Sequence, residues 1–309
     1  MKIFLGAVLA AVCAQPVFAC DFCAVYAATE AQGNSGKGFY GGLAEQFTYF
    51  DTFQSGGRDQ PNPDSEHLSS LMSQLFAGYN FNDRLGLQFN LPVIYREYAA
   101  TDSGVRRHGS EIGLGDALLL GNVRLYKKRT VDYTFNWNAL AGLKLPTGDS
   151  GHLKASEPDF AQGIGGHDLA LGSGSFDGVI GTDIFARWKK LFLTAGTQYA
   201  IRSEGDFGYQ YANDLSWSGG PGVYVALKDD YTLSLQAIVS GEYKPEDTRN
   251  GVATDDTAET SVYLGPQINF TWGSRLSAQL GADLPVSIKS SGEQIVPTFR
   301  IHAAITWRF

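Results

Sequence analysis

The sequence predicts an all-β fold of about twelve antiparallel strands closed into a transmembrane barrel, with short periplasmic turns and longer external loops. Three observations carry this. Stretches of about ten residues alternate apolar and polar side chains along most of the chain. The links between them alternate short and long. The final stretch ends on a C-terminal phenylalanine, Phe309.

The alternation is clear in three stretches. Over 231–244, Tyr231, Leu233, Leu235, Ala237 and Val239 share one face, and Thr232, Ser234, Gln236, Ser240 and Glu242 the other. Over 275–289, Leu276, Ala278, Leu280, Ala282, Leu284 and Val286 oppose Arg275, Ser277, Gln279, Asp283 and Ser287. Over 132–146, Tyr133, Phe135, Trp137, Ala139, Ala141 and Leu143 oppose Thr134, Asn136, Asn138 and Lys144. Successive side chains of a strand point to opposite faces, so each stretch has one apolar and one polar side. The other nine stretches fall at 37–53, 70–82, 84–98, 114–128, 175–189, 191–203, 214–228, 258–272 and 294–309.

The links Asn82-Asp83, Arg129-Thr130-Val131, Lys189-Lys190, Lys228-Asp229-Asp230 and Gly273-Ser274 are tight turns. Residues 54–69, 99–113, 147–174, 204–213, 245–257 and 290–293 form the mostly longer loops. An even strand count with links in this order puts both termini on the periplasmic side. Tyr79, Phe81, Tyr133, Phe135, Trp188, Tyr231, Phe270, Trp272, Trp307 and Phe309 gather near the short turns, where an aromatic girdle meets lipid headgroups. The last strand alternates Phe299, Ile301, Ala303, Ile305, Trp307 and Phe309 with polar residues. It resembles the signal read by the barrel-insertion machinery of Gram-negative bacteria.

Composition excludes other classes. No run of eighteen apolar residues exists, so the chain is not a helical membrane protein. Residues 1–19 read as a secretory signal peptide, with Lys2 before a short apolar run and Val17-Phe18-Ala19 at the cleavage point. Its removal takes Lys2 from the 24 basic residues and leaves 23 against 32 acidic ones, a balance of −9. Such acidity argues against nucleic-acid binding. Residues 20–36 form an N-terminal segment, periplasmic or plugging the lumen, with Cys20 and Cys23 in a Cys-x-x-Cys. Acylation of Cys20 is an alternative. The pair suits a disulfide in an exported chain, or a redox or metal contact docking a periplasmic protein partner. No His follows Cys23, which excludes covalent c-type haem attachment, and two thiols supply half a structural zinc site.

Leu91-Pro92-Val93, Leu145-Pro146-Thr147 and Leu284-Pro285-Val286 end three odd-numbered strands, and Pro221, Pro266 and Pro297 come early in three even ones. Proline cannot donate to a ladder and marks strand ends and bulges. With Gly113-Leu114-Gly115-Asp116 and Leu143-Lys144-Leu145-Pro146-Thr147-Gly148-Asp149, residues 84–309 resemble the outer-membrane barrel family named for the meta-pathway of phenol degradation. The resemblance implies a barrel in the cell outer membrane, contacting its lipid, and a channel for small organic compounds; the expected function is passive passage of small solutes, hydrophobic or aromatic ones among them. It identifies no single solute.

The polar faces assign Arg84, Arg96, Arg124, Lys144, Asp177, Asp183, Arg187, Arg202, Glu242, Asp283, Arg300 and His302 to the lumen. Charges of both signs suit either a selective pore or a salt-bridged, sealed interior. The competing function is a structural barrel docking a periplasmic partner. No cofactor and no enzymatic activity are expected. His108-Gly109-Ser110 is a His–Ser neighbour pair that could suggest a hydrolase, and its surroundings do not match the twelve-stranded outer-membrane phospholipase. His67, His108, His152 and His167 lie in external loops and read as solvated.

Overall fold

A strand with alternating side chains has one apolar face to cover and one polar face to hydrate. Closing such strands edge to edge satisfies every backbone group without leaving an open edge. The computed structural model of the chain describes residues 37–102, 104–154, 163–228 and 230–309, and it adopts that solution. The expected signal peptide, 1–19, and the expected Cys-x-x-Cys segment, 20–36, lie outside the described residues.

The strands in chain order are β1 (Gly38–Ser55), β2 (Arg58–Gln60), β3 (His67–Asn80), β4 (Leu85–Asp102), β5 (Val105–Leu114) and β6 (Ala117–Arg129). Then follow β7 (Tyr133–Leu145), β8 (Asp177–Trp188), β9 (Leu191–Ile201), β10 (Tyr209–Gln210), β11 (Asp214–Leu227) and β12 (Tyr231–Lys244). The chain ends with β13 (Thr248–Arg249), β14 (Val252–Ala253), β15 (Glu259–Trp272), β16 (Leu276–Ser290) and β17 (Glu293–Arg308). Each wall strand pairs antiparallel with the next in sequence, and β17 returns to β1 from Tyr40↔Arg308 to Ser55↔Glu293. With β5 and β6 counted as one interrupted strand, this is the closed twelve-stranded barrel the alternation predicts. β10, β13 and β14 form a separate small sheet among the long loops.

The polarity is that of a membrane barrel, polar inside and apolar outside. On β12, Leu235 is 46% exposed while its neighbour Gln236 is 6% exposed. Leu87, Ile180, Leu193, Leu264, Leu280 and Ile305 repeat the outward apolar face around the wall. An apolar surface this extensive marks an interaction or membrane face rather than one that stays in water. Phe81, Trp188, Tyr231, Trp272, Trp307 and Phe309 are exposed at the short-turn end, where Tyr79 packs on Phe39 and Phe81 with ring centroids 4.6 Å and 5.3 Å apart.

The fourth wall strand departs from expectation. Residues 99–113 are not a loop. β4 runs on to Asp102 and pairs with β5 down to Val93↔Leu114. Val105, Arg106, Arg107 and His108 are exposed on both faces, so this protruding hairpin carries no alternation to read. The break at Gly115–Asp116 is where β4 changes partner, from β6 (up to Asn90) to β5 (from Val93). Pro92 lies at that change, inside β4 rather than at its end, and its carbonyl accepts Gly115 N–H at 2.8 Å. Pro285 likewise lies inside β16, just past Asp283↔Arg300, where the β16–β17 ladder stops. A residue with no N–H to give fits where a ladder is interrupted.

Candidate functional site

The loop after β7 does not stay outside. Its described parts fold into the long-loop half of the barrel. Ile164 and Leu169 pack on the inward residues Phe50, Leu68, Ala100 and Ile295, and Leu171 packs on Met72 and Ile94. Leu153 and Ala170 meet Tyr209 of the small loop sheet and Tyr211 just past its first strand. Burial pushes both phenols well above the ordinary tyrosine range, and the adjacent Asp247 carboxylate adds to it. The barrel is therefore obstructed by an internal loop. A plug by residues 20–36 lies outside the described residues.

One carboxylate holds both ends of this loop. Asp116 accepts Gly148 N–H at 3.0 Å, Ser173 N–H at 2.9 Å and the Ser173 hydroxyl at 2.8 Å, and it pairs with Lys144 Nζ at 2.6 Å. Thr147 Oγ1 donates to the Gly115 carbonyl and accepts Ala117 N–H, both at 2.8 Å. Lys144 also meets Asp177 at 2.8 Å, and Arg202 bridges Asp177 at 3.1 Å and Asp214 at 2.8 Å. Higher in the loop, Arg96 donates to the carbonyls of Asp168 and Ala170, both at 2.6 Å. The two motifs noted in the sequence, Gly113–Asp116 and Leu143–Asp149, are thus the halves of one loop anchor.

Below the loop the walls meet at a waist. Leu118, Leu120, Leu140, Val179 and Ala200 form one cluster with Tyr263, which has no exposed surface. The Arg300 guanidinium lies 3.5 Å from the Tyr263 ring centroid, a cation–π stack between two buried side chains. Beside it His302 Nδ1 is 3.3 Å from Asp283 Oδ2. A Cβ on Gly281 would sit 1.8 Å from His302 Nε2, so only glycine leaves the imidazole its place on the wall. In the interior the side chains of Gln46, Thr48, Gln198, Ser240, Glu242 and Thr306 are buried or half-buried yet hold polar atoms with no hydrogen-bond partner among the described residues. Buried polar groups are normally satisfied.

The short-turn half is open. A cavity of about 690 Å³ runs from the turns up to Asn138, Gln236, Gln267 and Gln279. Its wall carries Phe185, Phe192 and Tyr224, and its mouth carries Lys127, Arg129, Arg275 and Arg308.

The residues assigned to the lumen distribute over these three levels. Arg96, Lys144, Asp177 and Arg202 belong to the loop and its anchor, and Glu242, Asp283, Arg300 and His302 face the interior near the waist. Asp183 and Arg187 line the vestibule, and Arg124 is buried beside it with its guanidinium donating to the Asp83 carbonyl at 2.7 Å. Arg84 is the exception. It sits exposed in the turn before β4, because the strand starts at Leu85 and leaves it outside the wall. Sequence reasoning missed Asp116, Ser173 and Tyr263. The Gly113-Leu114-Gly115-Asp116 motif was the signal for the first, while nothing local marks the other two. His108 and Ser110 lie exposed on β5. Among the described residues, no three His, Cys, Asp or Glu side chains converge to hold a metal ion.

Comparison with solved structures finds the same architecture in the COG4313 outer membrane channel from Pseudomonas putida F1, with a TM-score of 0.65 and 16% identity over 91% of this chain and 98% of that one. At that identity the likeness establishes the fold, that of an outer-membrane barrel. The translocator domain of the autotransporter NalP from Neisseria meningitidis aligns with a TM-score of 0.44 and 12% identity over 93% of this chain and 94% of that one. A Pseudomonas aeruginosa FadL homologue aligns with a TM-score of 0.38 and 10% identity over 88% and 90%. No family model and no curated protein matches the sequence.

Proposed function

We propose that this chain is a passive outer-membrane channel for small organic solutes, hydrophobic or aromatic ones among them, with its short turns and both termini on the periplasmic side. The observation that carries the reading is the vestibule: an open cavity of about 690 Å³ inside a barrel whose outer surface is apolar. It leads to a waist lined by buried polar side chains with atoms that have no hydrogen-bond partner among the described residues, which suits transit rather than a sealed core. Pore width is set by the infolded loop and by Tyr263, so the resting conductance is small. The family resemblance of the sequence motifs supports the same function and belongs to this proposal.

Two measurements test it. In planar bilayers the purified barrel conducts weakly, and Tyr263→Ala conducts more. Silence of both, in protein that still migrates as a folded barrel, overturns the reading. For orientation, an impermeant maleimide on intact cells labels Asp255→Cys in the long-loop end and leaves Ser274→Cys in a short turn unlabelled. The reverse pattern inverts the topology.

A further inference from the structure

We propose that the vestibule at the short-turn end is a binding site for small organic carboxylates with an apolar ring. The ring lies against Phe185, Phe192 and Tyr224, and the carboxylate is held by the basic mouth. This deepens the channel reading and rests on it.

The volume, about 690 Å³, is that of a small-molecule site, for which roughly 300–1,000 Å³ is usual. Its charge is one-sided. Lys127, Arg129, Arg187, Lys228, Arg275 and Arg308 line it, and among the described residues the one acid in its lining, Asp183, is engaged by Asn138 Nδ2 at 2.7 Å. The protein as a whole carries a formal charge of −8, so this concentration of bases is not inherited from composition. A cleft lined with one sign of charge focuses its field and gathers ions of the other sign.

The local backbone shows how two of these bases are aimed. Arg124 faces inward opposite Asn138, and strict alternation would then turn Lys128 inward and Lys127 and Arg129 to the lipid. A bulge at Leu125 shifts the register: Tyr126 pairs with the outward Trp137, Lys127 with Asn136, and Arg129 with Thr134. Asn136 and Thr134 both line the cavity, so the bulge turns Lys127 and Arg129 into it as well. Bulges that redirect a side chain are typical next to functional sites.

The aromatic wall supplies the second half of the recognition. Phe185 and Phe192 stack with centroids 5.9 Å apart and 28° between planes, and Tyr224 follows at 5.1 Å from Phe192. A Cβ on Gly222 would come within 2.1 Å of the Phe192 ring, so glycine lets that ring lie flat against the wall. Ring faces on one wall and cations at the mouth fit an amphipathic anion. The bases surround the mouth instead of converging on one point, which suits a carboxylate better than a compact, multiply charged inorganic anion.

Titration of the detergent-purified full-length barrel tests this, with benzoate, acetate, phenol and benzylamine as probes and saturation-transfer NMR or calorimetry as readout. Benzoate binds, acetate and phenol bind at least about tenfold more weakly, and benzylamine does not bind, with benzoate affinity falling as salt rises. Lys127→Gln with Arg129→Gln lowers benzoate affinity about tenfold, and Tyr224→Leu lowers it while leaving acetate unchanged. Equal binding of benzoate and benzylamine, or a double variant that binds benzoate like the parent, overturns the site. Heat-modifiable migration on gels shows that each variant folds. Conductance is recorded separately: a conducting barrel indifferent to benzoate removes the site alone, and a silent barrel that binds benzoate removes the channel alone.

Discussion

Asp116→Ala should open the loop. The substitution removes the acceptor of Gly148 N–H and Ser173 N–H, one at each end of the infolded segment, and takes from Lys144 its partner at 2.6 Å. Asp116 and Lys144 are each about 2% exposed, so water does not readily replace what is lost. Removing one partner of a buried ion pair costs about 3–5 kcal/mol. Lys144 keeps Asp177 at 2.8 Å, which favours the lower end. At about 1.4 kcal/mol per tenfold, the closed-to-open ratio of the loop falls by at least roughly a hundredfold. In planar bilayers the variant should show larger or longer openings than the parent, and trypsin should cut faster at Lys154 in the loop. Asp116→Asn, which keeps an acceptor but not the charge, should fall between. Lys144→Met should also open the loop, and combining it with Asp116→Ala should add much less than the sum, because both act on one network. A folded Asp116→Ala barrel with the parent's conductance and the parent's cleavage rate would refute the reasoning.

Other outcomes follow from the same geometry. Leu235→Arg places a charge on the lipid-facing side and should destabilise the barrel by about 2–4 kcal/mol, read by unfolding in urea from lipid vesicles. Gln236→Arg, one residue on and turned into the vestibule, should fold normally and shift ion selectivity, so equal folding defects would contradict the assigned faces. Gly265→Ala would put a Cβ 1.7 Å from the Ala282 carbonyl oxygen and should cost at least about 1–3 kcal/mol, seen as a lower heat-modification midpoint. Gly121→Ala, whose nearest neighbour is the Ala141 carbonyl at 3.5 Å, should not. Ultraviolet titration should leave Tyr209 and Tyr211 protonated well past pH 10, since both phenols are raised by burial. A raised phenol keeps its proton in the folded state after the unfolded chain has lost it, so this contribution to stability declines as pH climbs above about 10. Normal titration of every tyrosine near pH 10 would show the loop packing to be looser than described.

The wall was legible because its physics is local. Alternation, tight turns such as Lys189-Lys190, and the aromatic ends need only nearest neighbours in the chain, and eleven wall strands emerge close to their expected bounds. The fourth was misjudged where β5 begins with Val105 to His108 exposed on both faces, which erases the period-two pattern. The lumen was legible only as a set of inward faces. Parity from Arg124 assigns Lys127 and Arg129 to the lipid until the Leu125 bulge reverses them, and no local composition announces that bulge.

By itself, then, the sequence determined that this is a twelve-stranded barrel and which residues turn inward on its regular stretches, because side-chain direction follows from position along a strand. Only the tertiary structure decided what fills the interior. Asp116 meets Ser173 and Lys144 meets Asp177 across 57 and 33 residues of chain, pairings that exist only once the barrel closes and the loop folds in. The Tyr263 ring reaches the opposite cluster for the same reason: a lumen has no width, and a loop no place to fold, until β17 finds β1.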